Sequence, residues 1–202
     1  MPVPPAAPRI ALVGGGVRSG KSAFALARAR ALGERRVFVA TGQALDGEMA
    51  ERIAAHVRTR GADFRTVEEP LDLPGALRAL SDQDTDVVVV DCLTLWLSNL
   101  LVRGDDEAQV AARVDALADV LARRRFHALV VTNEVGLGIV PEAALARLFR
   151  DVAGRAHQRL AGAADEIYLA ILGTILRLRP APLATIVPSA AETSPTKEET
   201  RP

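Results

Sequence analysis

Arg9-Ile-Ala-Leu-Val-Gly-Gly-Gly-Val-Arg-Ser-Gly-Lys-Ser22 decides the reading of this chain. Arg9 to Val13 is a short apolar run that ends in three glycines, and an Ala-rich stretch from Lys21 to Leu32 with helical spacing follows. Between them, Gly15 to Ser22 satisfies the pattern G-x-x-x-x-G-K-[ST] in full, in the strand-to-helix context that gives the pattern its meaning. Glycines let the backbone curl until successive N–H groups point inward, and the helix that follows adds its positive end, so a triphosphate can be held largely by main-chain donors. In such a cradle Gly15, Gly16, Val17, Arg18, Ser19 and Gly20 wrap the phosphates. Lys21 neutralises the outer two, and Ser22 supplies an oxygen for Mg²⁺.

The basic residues sharpen this. The chain has 23 arginines and two lysines, Lys21 and Lys197. A sequence that uses arginine almost everywhere has kept lysine in the cradle.

Working outward, Gly33 closes the first helix where a left-handed cap is expected. Arg36 to Ala40 reads as a second strand, expected beside the first. Asp46 then caps a helix over residues 47–59, with Met49, Ile53 and Val57 four apart, which Gly61 ends. A short extended piece at 64–67 and a brief helix at 73–80 lead to Val87-Val-Val-Val-Asp91, a run suited to a strand buried on both faces. Residues 107–124 form an amphipathic helix, 128–132 another buried strand, and 142–160 a helix opened by Pro141. The stretches 166–171 and 174–178 form a closing hairpin.

Strands alternating with helices give an α/β, three-layer fold of the P-loop NTPase, RecA-like kind. Its sheet is mostly parallel with an antiparallel C-terminal hairpin, and ligands sit beyond the carboxyl ends of the strands. One catalytic domain spans 9–179, with Pro- and Ala-rich flexible tails at 1–8 and 180–202.

Composition excludes other classes. Twenty-five basic and 25 acidic residues cancel, and aromatics make up 3% of the chain, so neither the field nor the stacking platforms for nucleic acid are present. No apolar run is long enough to span a bilayer. The single cysteine, Cys92, forms no internal disulfide, which places the protein in the cytoplasm.

Two residues outside the cradle carry candidate chemistry. Asp91, at the end of the four-valine strand, is placed like the acid that completes a magnesium shell opposite a P-loop; the same position also suits a strand-end cap. His56 borders the Met49 and Ile53 stripe, which alone reads first as a half-buried packing histidine. Arg52 and Arg60, four residues to either side, would surround that imidazole with guanidinium groups suited to phosphate. His127 and His157 read as surface or packing residues. Asn133 and Glu134, at the end of another strand, suit substrate, metal or loop capping equally.

Taken together, the blocks resemble one family, the bifunctional adenosylcobinamide kinase and adenosylcobinamide-phosphate guanylyltransferase of cobalamin biosynthesis. The resemblance runs through the cradle, Ala40-Thr-Gly-Gln43, Asp46-Gly-Glu-Met-Ala-Glu-Arg-Ile-Ala-Ala-His56 and Arg65-Thr-Val-Glu68. It continues through Asp91-Cys-Leu-Thr-Leu-Trp-Leu-Ser-Asn-Leu100, Thr132-Asn-Glu-Val-Gly-Leu-Gly-Ile-Val-Pro141 and Phe149-Arg-Asp-Val-Ala-Gly-Arg155. It implies phosphorylation of adenosylcobinamide with ATP or GTP, then transfer of GMP from GTP to adenosylcobinamide phosphate through a GMP-histidine at His56. It also implies guanine-nucleotide contacts at Ala40, Thr41, Gly42, Val57, Arg58, Thr59, Arg60, Glu68 and Asp91, a magnesium site at Ser22 and Asp91, and a homotrimer.

Asp91 departs from members that carry glutamate there, which leaves its role open between magnesium and ribose. Ala55 stands where some members have a second histidine, so His56 is the only imidazole on its helix. Two other readings remain at this level: a monofunctional small-molecule kinase with a structural His56, and a RecA-like nucleotide-dependent regulatory module.

Overall fold

The structure, a computed structural model, describes residues 7–44, 47, 51, 57–58, 61–180 and 183–186. The expected helix at 47–59, with Asp46 and His56, therefore lies mostly outside the described residues. At its far end Gly61 is left-handed (φ 75°) and its N–H donates to the Val57 carbonyl, as a helix-ending glycine should.

Eight strands form one sheet: β1 (Ile10–Gly15), β2 (Arg36–Ala40), β3 (Arg65–Glu68), β4 (Val87–Asp91), β5 (His127–Val131), β6 (Glu166–Ile171), β7 (Thr174–Arg179) and β8 (Leu183–Ile186). Their order is β3-β2-β4-β5-β1-β6-β7-β8, parallel from β3 to β6 and antiparallel at β6–β7 and β7–β8. The expected α/β architecture and hairpin are present.

Three expectations need correcting. Leu183–Ile186, inside the segment read as tail, pairs with β7 as an edge strand; four residues after a proline are too few to show a periodicity. The second strand does not flank the first, because β4 and β5 lie between β2 and β1. Val87 to Val90 and Ala128 to Val131 are at most 2% exposed, and such continuous apolar runs belong in a sheet's interior, which displaces β2 outward. Gly33 is extended (φ 177°, ψ 174°), not left-handed. A Cβ there would lie 2.3 Å from the Asp86 Cβ, so it is a close approach of chains that calls for glycine.

Five helices complete the described layers: α1 (Lys21–Leu32), α2 (Leu73–Ala79), α3 (Leu93–Arg103), α4 (Glu107–Ala122) and α5 (Ala144–Ala163). Among the described helices α1 packs on one face, where Ala25, Leu26 and Ala29 meet Ala11, Val13, Val87, Val89 and Leu129, with Leu95 of α3 also against this cluster. The other four cover the opposite face, with Leu77, Trp96, Leu97, Leu117 and Ala153 over Leu12, Val39, Val88, Val90 and Val130. The sequence reading missed α3. Its run Leu-Thr-Leu-Trp-Leu-Ser-Asn-Leu-Leu is apolar on nearly every face, as in a fully buried helix, so it lacks the polar stripe that announces one.

Candidate active site

The register aligns one residue from each parallel strand in a single row: Glu68, Ala40, Asp91, Val131, Val13 and Tyr168. Everything just beyond this row stands at the carboxyl edge of the sheet. At a strand spacing of about 4.8 Å, β2 lies roughly 14 Å from the cradle strand. The edge is therefore a shelf, with the cradle at β1 and the ends of β2 and β3 at the far side.

The cradle is built as its glycines require. Gly15 has φ 156°, and a Cβ there would fall 2.5 Å from the Ala170 carbonyl oxygen and 2.7 Å from the Ser19 Oγ. Gly20, left-handed at φ 89°, turns the chain into α1. Arg18 is also left-handed, at φ 55°, and Val17 stands 80% exposed at the tip. Lys21 is 8% exposed, and its Nζ donates to the Gly16 carbonyl at 2.9 Å, so the ammonium folds back over the loop. Burial lowers its pKa against the opposing pull of Asp91, which places that carboxylate in electrostatic contact with the cradle. A buried cation held by one carbonyl and one neighbouring acid is a preformed seat for phosphate. Ser19 Oγ is buried and has no hydrogen-bond partner among the described residues.

Between the cradle and Asp91, β5 delivers Thr132, Asn133 and Glu134. The Glu134 N–H donates to the Gly15 carbonyl at 3.1 Å, tying this corner to the loop. The Asn133 amide donates to Thr94 Oγ1 at 2.9 Å, so it fastens β5 to α3. Glu134 Oε1 accepts from the Gly136 N–H, while its Oε2 lies 3.9 Å from His157 Nδ1. On its other side His157 Nε2 shares a 2.7 Å hydrogen bond with Thr132 Oγ1. His157 therefore sits at the site's edge, which its place in the middle of a helix does not reveal. Burial lowers its pKa, opposed weakly by Glu134, and favours the neutral ring. His127 does pack: it is 8% exposed and its Nδ1 accepts from the Arg9 N–H.

At the far side, Thr41 is fully buried, so its side chain turns inward. Its Oγ1 accepts from the Cys92 N–H and donates to the Cys92 carbonyl, both at 2.8 Å. Ala40 and Gly42 are half-buried and Glu68 is exposed, which leaves main-chain atoms and one carboxylate facing out. Val57 and Arg58 are helical and exposed. His56, Thr59 and Arg60 lie outside the described residues.

A cradle of this kind, on a mainly parallel sheet with one strand between it and the acidic strand, defines a P-loop NTPase. Solved structures agree on the fold: the RadB recombinase matches with a TM-score of 0.51 at 17% identity, covering 89% of this chain and 86% of that one. An ATPase from the type III secretion system of pathogenic bacteria matches with 0.53 at 12% identity, covering 92% of this chain and 60% of that one.

Sequence narrows the class. Residues 11–178 match the family model described as cobinamide kinase / cobinamide phosphate guanyltransferase, and the chain belongs to that family. It is 41% identical over 172 residues to the bifunctional adenosylcobalamin biosynthesis protein CobP of Pseudomonas aeruginosa, covering 85% of this chain and 98% of that relative. To the CobU proteins of Salmonella typhimurium and Escherichia coli it is 42% and 39% identical over 182 residues, covering 83% of this chain and 98% of each. Kinase and guanylyltransferase action in cobalamin biosynthesis is the activity of this family.

Proposed function

We propose that the shelf works as one nucleotide site serving both activities, with a nucleoside triphosphate seated in the Gly15–Ser22 cradle and His56 as the acceptor of GMP. The observation that carries this is Lys21, a desolvated ammonium folded over the Gly16 carbonyl in the field of Asp91. Such a group gains most from an incoming phosphate, because the new charge replaces the water it has lost.

In the guanylyl transfer, a ring nitrogen of neutral His56 attacks the α-phosphorus of GTP. A P–N bond forms, the bond to the bridging oxygen breaks, and pyrophosphate leaves with its electron pair. A phosphate oxygen of adenosylcobinamide phosphate then attacks the same phosphorus, breaks the P–N bond and returns the electron pair to the imidazole. The product is adenosylcobinamide-GDP. In the kinase step, the terminal phosphoryl group of ATP or GTP passes to the hydroxyl of adenosylcobinamide, with Lys21 and the cradle amides bearing the charge.

Magnesium fits the groups at the cradle. Ser22 and Asp91 offer hard oxygen donors, and the charge of Asp91 already acts on Lys21. An ion bound chiefly through phosphates and waters needs only one or two protein oxygens. Ser22 and Asp91 would hold it, and it would neutralise phosphate charge there. Ala40, Thr41, Gly42, Val57, Arg58, Thr59, Arg60 and Glu68 form the nucleoside side in this reading. Among the described residues no helix is long and apolar enough to cross a membrane. An interface between copies, as the homotrimer requires, finds support in the exposed apolar side chains of Leu137, Ile139, Val140 and Leu145.

The test is chemical. With GTP labelled at the α-phosphate, the protein retains label that survives alkali and is released by acid, as a phosphoramidate requires. With γ-label it retains none. An acid-stable adduct, or no adduct, defeats the proposal.

A further inference from the structure

Helix α3 touches the segments leaving β2, β3 and β5 at the carboxyl edge through polar side chains that its apolar sequence hides. Thr94 holds Asn133 at the end of β5. Trp96, fully buried, donates its indole N–H to the Leu71 carbonyl at 2.8 Å. Asn99, three residues on and so on the same side of the helix, spends both N–H groups of its amide. One goes to the Thr41 carbonyl at 2.8 Å and the other to the Pro70 carbonyl at 3.1 Å. A single nitrogen thus joins the chain leaving β2 to the chain leaving β3.

The join matters because of where these strands lie. β3 is the edge strand of the sheet, four residues long, with only Val67 half-buried and the rest exposed. β2 is its one ladder neighbour, and beyond the ladder Glu69 N–H reaches the Ala40 carbonyl at 2.9 Å. β4 and Cys92 hold Thr41, through its N–H to the Asp91 carbonyl and its hydroxyl to the Cys92 main chain, and Asn99 of α3 then sets Pro70 against it. α3 is itself anchored at the centre by Leu93, Trp96, Leu97 and Leu100, all fully buried.

We infer that Asn99, supported by Trp96, is a positioning residue for the nucleoside half of the nucleotide: it fixes the rim of Ala40, Thr41, Gly42 and Glu68 relative to the phosphate cradle without touching the ligand. This rests on the assignment of that rim to the nucleotide made above. The cradle has its own supports, the Glu134 to Gly15 and Lys21 to Gly16 bonds, and these do not pass through Asn99. Losing the clamp therefore blurs recognition of the nucleoside and leaves recognition of the phosphates intact.

Two ligands separate these halves. Inorganic tripolyphosphate needs only the cradle, whereas α,β-methylene-GTP, which cannot give up GMP, needs cradle and rim together. In Asn99→Ala and in the similarly sized, uncharged and donor-free Asn99→Leu, affinity for the GTP analogue should fall about tenfold, while tripolyphosphate stays within about twofold. Trp96→Phe, which keeps the aromatic bulk and removes one donor, should shift the analogue in the same direction by less. Analogue affinity unchanged in both Asn99 variants overturns the inference. Analogue and tripolyphosphate weakening together also overturns it, because that marks general loss of structure. Failure of the underlying assignment looks different: wild-type protein would then bind the analogue no more tightly than tripolyphosphate.

Discussion

Glu166, at the start of β6, and Lys21, at the start of α1, are both buried charges, 5% and 8% exposed, at opposite ends of the same sheet. Glu166 is enclosed by partners: Arg28 at 2.5 Å, Arg9 at 3.2 Å and the Tyr168 hydroxyl at 2.7 Å. Burial pushes its pKa up, yet the Tyr168 hydroxyl and the two guanidinium groups outweigh that and hold it below the usual value. Tyr168 is in turn pushed up to about 12 by burial and by Glu166, and its ring packs against Phe24 and Arg28. Lys21 has one carbonyl partner, and burial wins, lowering its pKa. The Glu166 carboxylate is matched by partners within the protein. The Lys21 ammonium has one carbonyl and keeps capacity for a ligand, which marks a binding site.

The contrast can be broken at either end. Lys21→Ala should carry the largest functional effect, a loss of about 10²–10³-fold in turnover, as for removal of one preorganised charge-stabilising donor. Its melting temperature should stay level or rise, since the removed charge is poorly solvated; a large fall would mean that Lys21 serves the fold. Glu166→Ala should do the reverse. Stranding two guanidinium groups and a hydroxyl costs about 3 kcal/mol, or roughly 6–12 °C in melting temperature for a domain this size, with GTP affinity at low temperature unchanged.

The smallest effect concerns His157, whose pKa lies below the ordinary 6.5. The folded state binds fewer protons than the unfolded one over that range. Its contribution to stability is thus complete above pH 6.5 and is lost as pH falls through 6.5 toward the folded-state value. His127 is shifted the same way, through burial and the nearby Arg28 and Arg9. Melting measured from about pH 7.5 to about pH 5.5 should decline less steeply in His157→Gln than in wild type, without vanishing. Equal slopes would show that the Thr132–His157–Glu134 chain does not hold the neutral ring.

The cradle was legible because its requirements are local. Gly15, Gly20 and Lys21 act through backbone angles and a charge within eight residues, and the strand and helix around them carry plain periodicity. The strand order was not legible: that β4 and β5 lie inside β2 follows from which apolar runs win the centre of the sheet. Asn99 and His157 were hidden for a related reason. Each acts across more than twenty residues of sequence, Asn99 on Thr41 and Pro70, His157 on Thr132 and Glu134; Asn99 sits on a helix the pattern did not announce, and His157 on one whose pattern explains it without a partner. The acceptor role of His56 came from resemblance, since its helical pattern alone favours packing.

The most direct test is the intact mass of the protein after exposure to GTP and Mg²⁺. Wild type should gain the mass of one GMP, lose it on addition of adenosylcobinamide phosphate, and yield a single modified peptide that contains His56. His56→Ala, folded and still binding GTP, should gain nothing; the same added mass on that variant, or on a peptide lacking residue 56, would contradict the account.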